Sequence, residues 1–284
     1  MSIFLPNRRS VLLTRKPGVI PANFDVDAAA YIAGVEGPLG DNQTLEIGVR
    51  AAINDFVVGC KADGIWSAIK ASCILAGART LSGALVPLVG TAPGNLNFVT
   101  SDYNRKIGLK GDGSTKRLNS QYSAQNINTN NSHLAVNGSN FETTGSGKTV
   151  IGIYNGGTYN LCDLILANPN RQYRCSLNTD SWPTTSAGLT TSGTVIGSRT
   201  SATNAALYQD GDLSSANTAT ATASNLGTFN LTVFGLTDQT GLLNAYSSAR
   251  LNFYSIGTGL SGAGVAALHA RVTALITAFG TAIP

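Results

Sequence analysis

The stretch ETTGSGKT (142–149) sets glycines before a lysine–threonine pair, as a phosphate-cradling loop does. The full pattern also needs a glycine five residues before the last one and a helix immediately after it. Here that first position is Glu142, and the residues that follow, VIGIY, are β-branched and strand-like. A carboxylate in the phosphate position would repel the ligand, so the stretch is read as a hairpin turn.

Hydrolytic chemistry finds few components. Glycoside cleavage needs two carboxyl groups flanking the scissile bond. The chain has three glutamates, Glu36, Glu46 and Glu142, and no close acidic pair on an expected interior strand. Asp210 and Asp212 flank the Asp–Gly turn of LYQDGDL and read as turn formers. Of the two histidines, His133 opens a strand and His269 falls mid-helix, which does not suit a Ser-His-Asp site. The reading is therefore non-catalytic, with no cofactor. Calcium at a loop rim would draw on Asp112, Asp163, Asp180 and Asp212, but their spacing singles out no set.

Four cysteines, Cys60, Cys73, Cys162 and Cys175, lack Cys-x-x-Cys spacing and read as small buried residues. If Leu166 faces Arg171 across the turn ANPN, Cys162 faces Cys175, at cross-strand distance for a bridge; in a reducing cytoplasm free thiols are the favoured reading and the bridge the competing one.

The chemistry best supplied is sugar recognition. It asks for an aromatic face against the C–H side of a ring, with amides and hydroxyls at the rim. Trp182 in the loop NTDSWPTT is the leading candidate, with Asn178 beside it and Tyr159 and Tyr208 as further aromatics. Trp182 could equally pack under its own loop against Pro183. Trp66 reads as a core residue.

These candidates must be positioned by a mainly β chain. Strands are expected near 106–118, 132–137, 149–154, 161–166, 172–177, 193–199, 205–209, 218–223, 228–235 and 250–256, short and separated by turn residues, as in an antiparallel sandwich. Before them, residues 44–86 read as helical. Thr44 would cap a helix carrying Leu45, Val49, Ile53, Phe56 and Val57, stopped at Gly59. KADGIWSAIK reads as a second short helix, SCILAG as a buried strand, and ARTLSGALVPL as a further helical turn or two. At the other end, LNFYSI alternates as an interior strand, with Leu251, Phe253 and Ser255 on one face. Ser261 then caps a helix whose stripe is Val265, Leu268, Val272, Leu275, Ile276 and Phe279. That helix should cover the sandwich beside the early helix.

Bulk composition agrees. The 284 residues are 43% hydrophobic but only 12% charged, about half the usual share. The net charge of +4 resides in the first twenty residues, where Arg8, Arg9, Arg15 and Lys16 meet no acid. With no basic stripe on the body, nucleic-acid binding is not expected. No apolar run approaches the ~20 residues of a membrane span, and the start lacks a secretion-signal core. Residues 1–43 read as an extended arm and linker; Phe4 and Leu12 lie in its apolar clusters. The arm is expected to anchor the chain on a partner, a free tail being the competing reading.

Three segments, IGLKGDGSTKRLNS (107–120), GTVIGSRTSATNAALYQDGD (193–212) and ARLNFYSIGTGLSGAGVAALHARVTALITA (249–278), resemble a family of bacteriophage and prophage virion proteins with a concanavalin A-like (laminin G-like) lectin jelly roll. GIWSAIKASCILAGARTLSGALVPLVG (64–90) resembles the segment leading into that domain. The similarity covers roughly residues 44–280. It implies a jelly roll over 97–284, a helical segment over 44–96 packed on it, and the arm over 1–43 as the attachment to the particle. The protein would be made in the bacterial host cytoplasm and displayed on the virion as a tail-fibre, head-spike or similar appendage. It would hold host-surface polysaccharide, with other virion proteins and further copies of itself as partners. A capsid or tail decoration protein with a purely structural role is the competing expectation. The resemblance carries no fixed set of ligand residues.

Overall fold

The computed structural model describes residues 24–142, 147–156, 161–166, 174–177, 183–184, 190–217, 226–238, 240 and 243–284. Two helices come first, α1 (Val26–Glu36) and α2 (Ile47–Ala62), then strand β1 (Ile69–Ile74) and a single helical turn, α3 (Leu81–Ala84). Strands β2 (Gly94–Leu96), β3 (Tyr103–Asn104), β4 (Gly108–Lys110), β5 (Arg117–Ser123), β6 (Ser132–Ser139) and β7 (Lys148–Tyr154) follow. Next are β8 (Leu161–Leu166), β9 (Arg174–Leu177), β10 (Ser192–Ser201), β11 (Asn204–Gln209) and β12 (Asp212–Asn217). The chain closes with β13 (Asn230–Val233), β14 (Leu236–Thr237), β15 (Leu243–Asn244), β16 (Arg250–Gly257) and α4 (Gly262–Ala282).

The strands form two sheets, antiparallel except where β14 meets β7. One runs β12-β11-β10-β6-β16-β4-β3, with β1 also paired to β16; the other runs β15-β14-β7-β13-β5-β2, with β8 and β9 continuing from β7. Pairing register decides which side chains enter the space between the sheets. Leu118, Val233, Ile151, Leu164 and Cys175 stand opposite one another across four adjacent pairings and are all buried there. From the other sheet come Leu134, Val136, Val195, Leu207, Tyr254 and Ile256. The first sheet's outer face, with Ala135, Ile196 and Phe253, is covered by α2 and α4 in a second core. The chain is thus an antiparallel β-sandwich with a helical layer on one side, as the strand periodicity and composition require.

The terminal strand and helix both form where expected, but Leu251 and Phe253 do not share a face. β16 is interior, flanked by β6 on one edge and by β4 and β1 on the other. A bulge between Leu251 and Phe253 breaks the simple alternation, so Leu251 joins Tyr254 and Ile256 inside the sandwich while Phe253 faces the helices. Ser261 Oγ accepts from the Gly264 N–H as the cap of α4. Val265, Leu268, Val272, Leu275 and Phe279 are buried, and Ile276 is half-buried. By length and composition α4 could span a membrane, contrary to the sequence expectation, but its apolar stripe is occupied by α2 and the sheet.

Several expectations need correction. Residues 26–36, assigned to the linker, form α1, capped by Asp25 and burying Ala28, Tyr31, Ile32 and Val35. Glu46 rather than Thr44 occupies the cap position of α2, and the helix continues past Gly59 to Ala62. Gly59 lies inside the helix where the Arg271 side chain of α4 crosses it: an added Cβ would stand 2.5 Å from Nε. The second short helix shrinks to a three-residue turn, Trp66–Ala68, before β1. Ile65 and Ile69 are buried, but Trp66 is only half-buried. The single strand at 106–118 is split between the two sheets. Asp112 accepts from the Ser114, Thr115 and Lys116 N–H groups and the Thr115 hydroxyl, and that turn reverses the chain. Residues 218–223 lie outside the described residues.

The cysteine register is shifted. Cys175 pairs with Leu164, and Cys162 pairs with Leu177, so Cys162 and Cys175 are not opposite one another. Cys60 and Cys73 are buried free thiols, and Cys175 is buried.

Candidate functional site

The outer face of the second sheet carries no helix among the described residues. Gly94, Asn119, Thr232, Gly152, Asp163 and Ser176 follow one another across it in register, one residue out of step with the buried row. This row has amide, hydroxyl, carboxylate and glycine where its neighbour has leucine, valine and isoleucine. That alternation marks a sheet with one face in the core and one turned outward.

Towards the β2 end this face opens into a cleft of about 190 Å³, lined by Leu96, Arg117, Asn119, Phe229, Asn230, Thr232 and Thr237. Four strands place these side chains. Arg117 and Asn119 are alternate residues of β5, Asn230 and Thr232 alternate residues of β13, and Leu96 stands opposite Arg117. The Thr232 and Thr237 hydroxyls are hydrogen-bonded to each other and buried in the floor. Phe229 is 40% exposed. Its carbonyl accepts from Ala124 N–H at 3.0 Å, and the neighbouring Thr228 carbonyl accepts from Ser123 Oγ at 3.4 Å. The backbone under the ring is therefore tied to β5. The cleft offers an aromatic ring, two amides, paired hydroxyls and one guanidinium, and among the described residues no carboxylate lines it.

Further along the same face, Asp163 is buried with Arg174, Nη2 to Oδ2 3.8 Å. A second cleft, about 350 Å³, lies on the helical side between α1 and residues 86–89, with Asp27, Tyr31 and Trp66 in its walls. There the Lys61 ammonium sits 5.8 Å from the Trp66 ring centre and pairs with Asp25 and Asp27.

The structure separates the residues singled out from sequence. Tyr208 lies on β11 of the first sheet, half-buried against the helical core beneath α4, where burial raises its phenol pKa; it does not reach the cleft. Trp182, Tyr159 and Asn178 lie outside the described residues, as do Phe4, Arg8, Arg9, Leu12, Arg15 and Lys16 of the arm. Phe229, Arg117, Asn119 and Asn230 were not singled out. The available signal was the alternation of Arg117 and Asn119 with buried Leu118 and Ser120, which marks their face of β5 as outward.

The acids and histidines hold structure. Glu36 receives Arg50 and the Leu45 N–H; Glu46 receives Arg105 and Arg79. Glu142, at the start of the phosphate-loop look-alike, accepts from the Ser247 and Ser248 hydroxyls, and strand β7 follows from Lys148. Asp210 (φ 51°) and Gly211 (φ 89°) form the β11–β12 turn, with Asp212 opening β12. Asp112 belongs to its own turn; burial pushes its carboxyl up, and four hydrogen bonds more than reverse this, holding it far below the usual carboxylate range. His133 is fully buried, Nδ1 2.6 Å from the Thr258 carbonyl and Nε2 2.8 Å from Ser255 Oγ. His269 bonds Thr194 Oγ1 through Nδ1 at 2.9 Å. Among the described residues no group of three or more His, Cys, Asp or Glu could hold a metal ion.

No family model matches the chain, and no curated protein matches it. Solved structures do. The CBM40 of a Ruminococcus gnavus IT-sialidase aligns at 12% identity and TM-score 0.41, over 56% of this chain and 96% of that one. The binding domain of Botulinum neurotoxin serotype D aligns at 11% identity and TM-score 0.47, over 72% of this chain and 51% of that one. The NanB sialidase of Streptococcus pneumoniae aligns at 11% identity and TM-score 0.41, over 49% of this chain and 24% of the enzyme. The chain thus spans about a quarter of the length of that sialidase.

Proposed function

We propose that the chain is a non-catalytic carbohydrate-binding module of lectin-like jelly-roll type, and that its glycan seats in the cleft around Phe229. The observation that carries this is the composition of the cleft on a sheet face that no helix covers among the described residues. Phe229 offers a ring to the C–H face of a pyranose, while Asn119 and Asn230 supply donors and acceptors at its rim, above a floor that holds the bonded threonine pair. The three glutamates are each engaged elsewhere, so a two-carboxylate hydrolytic arrangement lacks its parts at this cleft. A glycan array probed with the full chain and with Phe229→Ala tests it. Binding by the parent and its loss in the variant is expected; an array on which the parent binds nothing would reject the proposal.

The finer proposal puts this module on a virus particle, as a tail-fibre, head-spike or similar appendage, oligomeric and joined to other virion proteins through residues 1–23. Its support is the resemblance across residues 44–280 and the arm itself, which carries the chain's whole charge excess beside apolar clusters. Fixing an arm residue costs roughly 1–2 kcal/mol of conformational entropy, which only an apolar and acidic partner surface would offset. Deleting residues 2–20 should leave a folded, glycan-competent protein that no longer enters particles. Normal incorporation of the deletion variant would reject the anchoring role.

A further inference from the structure

The glycan reading leaves Arg117 without a task. Five other arginines meet carboxylates: Arg50 with Glu36, Arg79 and Arg105 with Glu46, Arg174 with Asp163, and Arg271 with Asp63. Arg117 has no carboxylate within ion-pair distance among the described residues. Its one side-chain hydrogen bond there runs from Nη1 to the Thr115 carbonyl at 3.5 Å, the outer limit of such a contact. The nearest acid along the chain, Asp112, is taken up by four bonds within its own turn. A half-buried guanidinium thus faces the cleft with most of its donors unused, in a chain with few charges of any kind.

A guanidinium presents five N–H donors in a planar fork, and its best-matched partner is a two-oxygen anion. A neutral sugar offers only single hydroxyls, which Asn119 and Asn230 can already serve. Resting on the glycan reading above, we infer that the ligand is an acidic polysaccharide whose carboxylate is gripped by Arg117 while its ring rests on Phe229. Arg117 and Asn119 are alternate residues on one face of one strand, so the charged and neutral contacts are set side by side on a rigid element rather than on a loop.

The test compares polygalacturonate with the same polymer after chemical reduction of its carboxyl groups, and with poly(glycerol phosphate), all on the full chain. The parent should bind polygalacturonate at least about tenfold more tightly than its reduced form, equivalent to ~1.4 kcal/mol. Arg117→Gln, checked for an unchanged melting temperature, should lose that advantage, and Arg117→Lys should recover only part of it, since an ammonium cannot make the paired contact. Equal binding of the two polymers by the parent overturns the inference and leaves the glycan reading standing. So does Arg117-dependent binding of poly(glycerol phosphate) alone, which would assign the fork to a phosphodiester. Failure to bind any polymer here, together with a blank glycan array, overturns the reading beneath it as well.

Discussion

Gly257, the last residue of β16, lies against the backbone of Ala68: a Cβ at position 257 would stand 1.9 Å from the Ala68 carbonyl oxygen and 2.9 Å from Cε1 of His133. The same oxygen accepts from the Thr258 N–H at 3.0 Å. Strand β1 therefore joins the sheet at a point where only a hydrogen fits. Gly257→Ala should destabilise the protein by at least about 2 kcal/mol, because the obstructing atom belongs to the backbone and cannot swing aside. Chemical denaturation measures this; an unchanged midpoint would show that β1 does not close on β16 in this way.

The helical layer is held by the stripe on α4. Leu268 is 1% exposed and Leu275 2% exposed, so truncating either to alanine should cost about 2–5 kcal/mol. Equilibrium unfolding of Leu268→Ala and Leu275→Ala would show it, and melting curves that overlay the parent would remove α4 from the core.

Acid should weaken the fold through His133. Burial drives its pKa from 6.5 down to about 4, with the Thr258 carbonyl acting in the opposite sense. The unfolded chain then binds a proton that the folded chain refuses. Stability is fully present above pH 6.5 and declines as pH falls towards 4, by roughly 3 kcal/mol from this group alone. In proton NMR the His133 ring resonances should stay at their neutral positions down to about pH 5. A His133 midpoint near 6.5 would contradict the burial argument.

Burial also raises the Cys60 and Cys73 thiols to about 12. Both should resist alkylation at pH 8 in the native protein and react on unfolding, since the thiolate is the reactive form. Intact-mass analysis after native labelling reads this; rapid modification of either under native conditions would place it at the surface.

Much of the architecture was legible because periodicity reports burial. Short apolar runs bounded by turn residues gave β6 and β10, alternation gave β16 despite its bulge, and the three- and four-residue steps gave α4. α1 was missed although Ala28, Tyr31, Ile32 and Val35 recur at helical spacing, because its residues were read together with the basic, proline-bearing arm. The Cys162–Cys175 pairing failed because a hairpin's register depends on its loop, and a two-residue slip keeps every side chain on its expected face. The cleft was the least legible part. Asn119 and Thr232 stand opposite one another across β5 and β13, more than a hundred residues apart in the chain. Phe229, in the run GTFNLTV, looks like any strand-edge aromatic until that pairing brings Arg117 and Asn119 beside it.

The central claim is that the cleft around Phe229 holds a sugar. The most direct measurement is titration calorimetry of the full chain against the best glycan from an array, for the parent, Phe229→Ala and Asn119→Ala, each with its melting temperature recorded. The account predicts measurable affinity in the parent and at least about a tenfold loss in both variants, with their folds intact. Undiminished affinity in both folded variants would place the sugar elsewhere and contradict the account.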